Sequence, residues 1–379
     1  MEQAKQVVST LLKKANIELG GSRPFDPTVN DERLYQRILR GGSLALGESY
    51  MDGWWSVDRL DALIAKVRRL DLQRDLYAKP LAGAALFFHI IKARLFNLQN
   101  MKRALHVNER HYDIGNDLYE KMLDPWMQYT CAYWDRGAEN LNEAQVAKLA
   151  LIAEKLKLRP GMRVLDIGCG WGGLSKYLAQ THGVIVDGIT LSKEQKVFAD
   201  NFVKGTSATI HYADYRTYTN EPYDRIVSIG MFEAVGYKNF RTYMECAHRL
   251  LKDDGIFLLH TIGTNVTVYA GDPWIDAYIF PNGMLPSPSQ ISDSIEKLFV
   301  MEDWHNFGPS YDKTLMAWYE NFKAAWPELK ESGAYDDRFY RMWEYYLLMC
   351  AGLFRARKTQ LWQIILTKGG LPDGYQSVR

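Results

Sequence analysis

The sequence has little cysteine and no paired cysteine motif. Its four residues, Cys131, Cys169, Cys246 and Cys350, are scattered, with no CxxC pair and no His-containing zinc spacing. That excludes a disulfide scaffold or a structural zinc site and fits a reduced, cytoplasmic protein. Net charge is lacking too: 46 Lys and Arg against 45 Asp and Glu leave +1, too balanced for a dedicated nucleic-acid binder. No secretory leader is expected, because MEQAKQVVSTLLKKA reads as a charged amphipathic helix. The longest nearly uncharged apolar run, LAGAALFFHII at 81–91, is short of the roughly 20 residues that cross a bilayer. What is present is 379 residues, 47% of them hydrophobic, enough for a sizeable core in two domains or one large domain with an appendage.

Three regions are expected. Residues 1–72 carry helical patterns around a Gly-rich aromatic knot, GGSLALGESYMDGWW, and read as a small, mainly helical module. Residues 73–103 form a basic amphipathic linker. No acidic residue occurs between Asp75 and Glu109, while Lys79, Lys92, Arg94, Lys102 and Arg103 alternate with bulky apolar residues such as Phe87, Phe88, Ile91 and Phe96. That composition suits an anionic membrane interface; the competing reading is an interdomain helix with its apolar face on protein. From 104 to 379 helix and strand patterns alternate. Apolar strand candidates occur at MRVLDI, GVIVDGI, ATIHY, YDRIVSIG, GIFLLHTI, VMEDWH and LWQIILT. This predicts an α/β fold with a doubly wound, mainly parallel seven-stranded sheet.

VLDIGCGWGG, at 164–173, sits where a first strand hands over to a first helix, and Gly168, Gly170 and Gly173 have the spacing of a nucleotide loop. Asp166 precedes the first glycine by two residues, and the loop resembles that of class I S-adenosylmethionine-dependent methyltransferases. The resemblance implies that the loop supports the methionine part of the cofactor, with Asp166 nearby. A dinucleotide-binding dehydrogenase would instead place an acidic residue at the end of the second strand, where this chain has Thr190, Leu191 and Ser192, with Asp187 inside the strand.

Further stretches narrow the family: HYDIGNDLYEKMLDPWMQYTCAYW, GITLSKEQ, MFEAVG, LLHTIG, DPWIDAYIFPNG, WHNFGPSYDKTLMAWYENF and CAGLFRARKTQLWQ. Together they closely resemble the cyclopropane-fatty-acyl-phospholipid synthases along essentially the whole chain. The resemblance implies transfer of a methylene group from S-adenosylmethionine to cis double bonds of phospholipid acyl chains, through a carbocation deprotonated by a bound bicarbonate. It carries the bicarbonate pocket onto Cys131, Glu233, His260, Tyr311 and the backbone of Ile262, with Glu233 as a relay and not the base itself. It carries cofactor contacts onto Tyr129, Thr130, Asp166, Gly168, Cys169, Gly170, Thr190, Leu191, Ser192, Gln195, Asp214 and Tyr215. Cys350 of CAGLFRAR matches a cysteine of the family's active site, although a sulfur nucleophile has no step in alkene methylation. Aromatic rings in these motifs could stabilise a cation or simply pack.

The resemblance also implies a homodimer at the inner membrane surface and no nucleic-acid partner. Two other readings compete. The fold could methylate a small amine, an oxygen nucleophile or an RNA base, which needs no bicarbonate pocket, or the chain could bind lipid surfaces with a relict cofactor fold.

Overall fold

The computed structural model describes residues 2–70, 97, 99 and 115–379. Most of the expected basic linker, and the start of the HYDIG motif, lie outside the described residues. Two compact units are distinguished: one of Met1–Asn97, Tyr269–Gly283 and Tyr311–Thr359, the other of Leu98–Val268, Met284–Ser310 and Gln360–Arg379.

Elements of the first unit include α1 (Glu2–Lys14), a two-stranded ribbon of β1 (Thr28–Val29) and β2 (Trp55–Ser56), α2 (Arg33–Met51) and α3 (Leu60–Arg69). The Gly-rich knot lies largely within α2. Gly42, at φ 57°, breaks the helix, a conformation that glycine adopts without a side-chain clash. Gly47 lets a Trp ring approach: a Cβ there would lie 2.3 Å from Trp274.

The division 1–72, 73–103 and 104–379 follows chain order, and the compact units cut the chain differently. Residues 311–359 join the amino-terminal helices because polar bonds and rings connect them. Tyr50 and Tyr319 both donate to Glu344, at 2.6 and 2.8 Å. Arg355 bonds Asp312 at 2.8 Å and also Asp61, which is 1% exposed. Tyr50, Trp55, Trp274 and Tyr345 complete an aromatic core, with ring centroids 4.7 to 5.5 Å apart.

The second unit holds α4 (Asn116–Met122), α5 (Leu141–Lys155), β3 (Arg163–Ile167), α6 (Gly173–His182), β4 (Ile185–Thr190), α7 (Lys193–Phe202), β5 (Ala208–Tyr212), β6 (Tyr223–Ile229), α8 (Phe240–Leu250) and β7 (Leu251–Thr264). After α9 (Pro273–Tyr278), which lies in the first unit, come α10 (Pro288–Ile295) and β8 (Val300–Asn306). Helices α11 (Pro309–Glu331) and α12 (Asp337–Arg355) precede β9 (Thr359–Thr367).

All seven expected strands form one sheet, ordered β5-β4-β3-β6-β7-β9-β8. Its first five strands are parallel, while β9 runs antiparallel to β8. The strands read as continuous apolar runs because helices cover both faces. One core packs Leu165, Ile226, Phe257 and Ile364 with Tyr243 and Phe232; another packs Val164, Val186, Val227 and Leu258 with Leu149 and Ile152 of α5. Chain order reverses at β3, from which β4 lies on one side and β6 on the other. Ligands of open α/β sheets bind at the carboxyl ends of the strands beside such a switch point.

Candidate active site

Most of the expected site residues fall on this carboxyl edge. Asp166, next to last in β3, is 1% exposed and accepts from Ser175 Oγ of α6 at 2.8 Å. Burial pushes its carboxyl up to about 7, opposed by the Ser175 bond and the charge of Lys148. Gly168 (φ 84°), Gly170 (φ 55°) and Gly172 (φ 81°) turn the chain into α6, and the amides of Gly168 and Cys169 donate to Ile189 O at 2.9 and 3.0 Å. At Gly173 a Cβ would meet Trp126 O at 1.7 Å, so only glycine allows the preceding segment to lie on the start of this helix.

Thr190, Ser192 and Gln195 form a local network at the end of β4. Ser192 Oγ caps α7 by accepting from Gln195 N at 3.1 Å, and Thr190 Oγ1 donates to Gln195 Oε1 at 3.2 Å. Leu191 lies between them, half-buried. After β5, Asp214 is gripped by Arg216, with Nε 2.8 Å from Oδ1 and Nη2 2.5 Å from Oδ2. Tyr215 is buried edge-on against Tyr243, at 5.0 Å. Asp187 instead accepts from His211 and Tyr223, each at 2.8 Å, within the sheet, a structural role consistent with its position inside the strand.

Tyr129, Thr130 and Cys131 lie on the segment between α4 and α5. Tyr129 packs edge-on against Tyr119 at 5.1 Å and Trp171 at 6.5 Å. Cys131 is fully buried and its thiol donates to Ala132 O at 3.1 Å.

Strand β6 ends at Ile229, and Gly230 (φ 68°) starts a turn that places Glu233 on a 3₁₀ turn, Phe232–Ala234. Glu233 Oε1 accepts from Ile262 N at 2.6 Å, so the amide expected to serve an anion serves Glu233 here. Although the residue is only half-buried, Oε2 is sealed from solvent and has no partner. Burial pushes the carboxyl up to about 7; the Ile262 amide and the Thr261 hydroxyl oppose this.

His260 is opposite Ile229 in the β6–β7 ladder and is 1% exposed. Gln363 Nε2 lies 3.2 Å from its Nδ1. With the amide donating, Nδ1 accepts and Nε2 carries the ring proton. That Nε2 is also sealed and unpartnered. Burial, followed by Lys148, Lys155 and His305, drives the imidazole pKa well below 6.5, so the ring is a neutral donor at physiological pH. A buried polar atom without a partner costs about 1–3 kcal/mol, and two of them, one on the turn after β6 and one on the adjoining β7, suit a polar ligand.

The other two expected residues belong to the first unit. Tyr311, in the first turn of α11, is 7% exposed and packs on Phe354 at 4.6 Å. Cys350, in α12, is half-buried, and burial pushes its thiol up to about 12, leaving essentially no thiolate at neutral pH. Of the aromatic candidates, Phe232 is a core residue, stacked on Phe240 at 4.3 Å and fully buried.

Sequence reasoning missed Gln363, which sets the tautomer of His260, and Gln145 and Lys148 of α5, both fully buried. One signal for the latter pair was available. The buried stripe of α5 runs through Leu141, Ala144, Gln145, Lys148, Ile152 and Lys155, so polar residues occupy the helix positions that face the core.

Comparison with known proteins identifies the family. The family model described as mycolic acid cyclopropane synthetase matches residues 99–364. The cyclopropane-fatty-acyl-phospholipid synthase of Escherichia coli is 54% identical over 96% of this chain and 93% of its own. A cyclopropane synthase structure from Mycobacterium tuberculosis covers 72% of this chain and all of its own, at 32% identity and a TM-score of 0.65. A mycolic acid cyclopropane synthase complexed with SAH and CTAB covers 70% of this chain and 98% of its own, at 33% identity and a TM-score of 0.64. With the seven-stranded sheet, the glycine loop and the likeness along nearly its whole length, the chain belongs to the cyclopropane synthase family of S-adenosylmethionine-dependent methyltransferases.

Proposed function

We propose that the protein adds a methylene bridge across cis double bonds of acyl chains in membrane phospholipids, and that bound bicarbonate takes the proton released as the ring closes. S-adenosylmethionine supplies the sulfonium methyl that becomes the bridging carbon. The full-length likeness to a phospholipid synthase supports the substrate class. The two sealed, unpartnered atoms, Glu233 Oε2 and His260 Nε2, carry the case for bicarbonate. A neutral Nε2–H donates to an anion oxygen, while a carboxylate whose pKa lies near 7 can accept the anion's hydroxyl and relay its proton. The same anion keeps the carboxylate from trapping a carbocation as an ester.

The other roles follow the chain's own chemistry. Cys131 and Ile262 complete the anion's surroundings, Ile262 indirectly by fixing Glu233. Gly168, Cys169 and Gly170 let backbone approach the methionine portion, with Asp166 beneath them. Tyr129 and Thr130 flank that portion. Thr190, Leu191, Ser192 and Gln195 receive the ribose, and Asp214 and Tyr215 the adenine. Cys350 stays protonated, which suits packing beside an acyl chain and not nucleophilic catalysis.

Among the described residues no helix is long and apolar enough to cross a membrane. The basic, apolar linker 73–103 supports peripheral attachment at the inner membrane surface. A homodimer would double such weak contacts by avidity. Residues 1–72 act in this reading as the module that accompanies the linker to the bilayer.

The test is turnover of unsaturated phospholipid vesicles in carbon dioxide-depleted buffer. A rate that rises about tenfold or more on adding bicarbonate supports the borrowed base. Cyclopropane formation at full rate without bicarbonate assigns deprotonation to the protein and removes bicarbonate from the account.

A further inference from the structure

Thr130 is held from two sides. On one, Lys148 Nζ donates to its Oγ1 at 3.0 Å and Gln145 Nε2 to its carbonyl at 2.9 Å. These residues lie one helical turn apart on α5, both fully buried. On the other side, the Thr130 methyl fills the space of a missing side chain: a Cβ on Gly230 would lie 2.8 Å from Thr130 Cγ2. Gly230 follows β6 three residues before Glu233, and its amide donates to His260 O at 2.9 Å. Lys148 also donates to Gln128 Oε1, and Gln128 Nε2 donates to Trp126 O at 3.0 Å, the carbonyl that lies against Gly173. Asp124 fixes the same turn by accepting from Trp126 N at 2.8 Å and Gln128 N at 2.9 Å.

We propose that Lys148 and Gln145 are positioning residues for the reaction: together they clamp 128–131 between the cofactor loop at Gly173 and the Gly230 turn that leads to Glu233. A buried ammonium is an expensive way to fix a loop, since replacing a buried charge by a well-packed apolar group is often neutral or stabilising. Its two neutral acceptors add geometry that an apolar side chain cannot supply. Burial lowers the Lys148 pKa to about 8, and Asp124, Cys131 and Asp166 oppose that shift. The ammonium therefore stays largely protonated at neutral pH and keeps both donor bonds. Thr130 then has one fixed position for its peptide and its methyl, and with it the neighbouring Tyr129 and Cys131.

The inference rests on the methyl-transfer reading of this site but is independent of bicarbonate. The experiment is a double-mutant cycle of Lys148→Met and Thr130→Val, the latter keeping the methyl contact with Gly230. It reads kcat and KM on vesicles, calorimetric affinity for S-adenosylhomocysteine, and melting temperature. A wild type that forms no cyclopropane refutes the functional reading, whereas the affinity measurement still tests the clamp. Lys148→Met is expected to lower kcat about 30-fold and weaken S-adenosylhomocysteine about tenfold, with lipid KM little changed. Adding Thr130→Val should then cost less than about threefold more, because the two act through one contact. Losses that multiply independently, or a kcat within about threefold of wild type, overturn the clamp. Should Lys148→Met fail to fold, Gln145→Leu decides. A tenfold loss of S-adenosylhomocysteine affinity at an unchanged melting temperature upholds the inference, and unchanged affinity overturns it.

Discussion

Replacing Glu233 with Gln separates the electrostatics of the pocket from its shape. The amide is nearly isosteric, and its oxygen can still accept the Ile262 amide proton now bound at 2.6 Å. What disappears is an acid whose pKa rises from 4.5 to about 7 on folding, mainly through burial. Below pH 4.5 this carboxyl is protonated whether the chain is folded or not, and it contributes nothing. Between 4.5 and 7 the unfolded chain ionises first, so wild-type stability falls as pH rises, and above 7 the penalty is constant. The full shift corresponds to about 3 kcal/mol; because the residue as a whole is only half-buried, about 2 kcal/mol is the working figure. In the ligand-free protein, urea denaturation followed by tryptophan fluorescence should show Glu233→Gln gaining about 2 kcal/mol on wild type between pH 4 and pH 8. Turnover should fall at least about 100-fold with the relay gone, while S-adenosylhomocysteine affinity holds. A stability difference that is the same at both pH values would refute the buried-carboxyl argument, and undiminished turnover would refute the relay.

Two other substitutions test individual site assignments. Gln363→Leu removes the donor to His260 Nδ1 and should lower kcat by about tenfold, as expected for an orienting partner; steady-state kinetics at unchanged fold would expose an unaffected kcat. Cys350→Ala should leave turnover within about threefold, because a thiol pushed up to about 12 provides no thiolate; a loss of about 30-fold or more would make Cys350 a participant.

The sheet was legible because its strands are buried on both faces: MRVLDI, YDRIVSIG and LWQIILT appear as β3, β6 and β9 within a residue or two. The glycine loop was legible for a related reason, since Gly168 and Gly170 occupy left-handed conformations that leave little choice of residue. The grouping of 311–359 with the amino-terminal helices was not legible. It depends on contacts such as Tyr50 with Glu344, between residues nearly 300 positions apart, which no local pattern encodes. Lys148 and Gln145 were missed because a lysine and a glutamine on a helix ordinarily face water. Only their register with Leu141 and Ile152 betrays that these two are inside. Asp214 illustrates a different limit: its position after β5 was clear, but the grip of Arg216, two residues on, follows from side-chain geometry that sequence spacing leaves open.

The central claim is that the methyl carbon loses one hydrogen as it becomes the bridge of a three-membered ring. S-adenosylmethionine bearing a fully deuterated methyl group, supplied with unsaturated phospholipid vesicles, tests it by mass spectrometry of the acyl products. The account predicts two deuterons on the new carbon of every modified chain and the third released to solvent. Acyl chains that retain all three, or vesicles that return unmodified while the methyl group is transferred elsewhere, would contradict it.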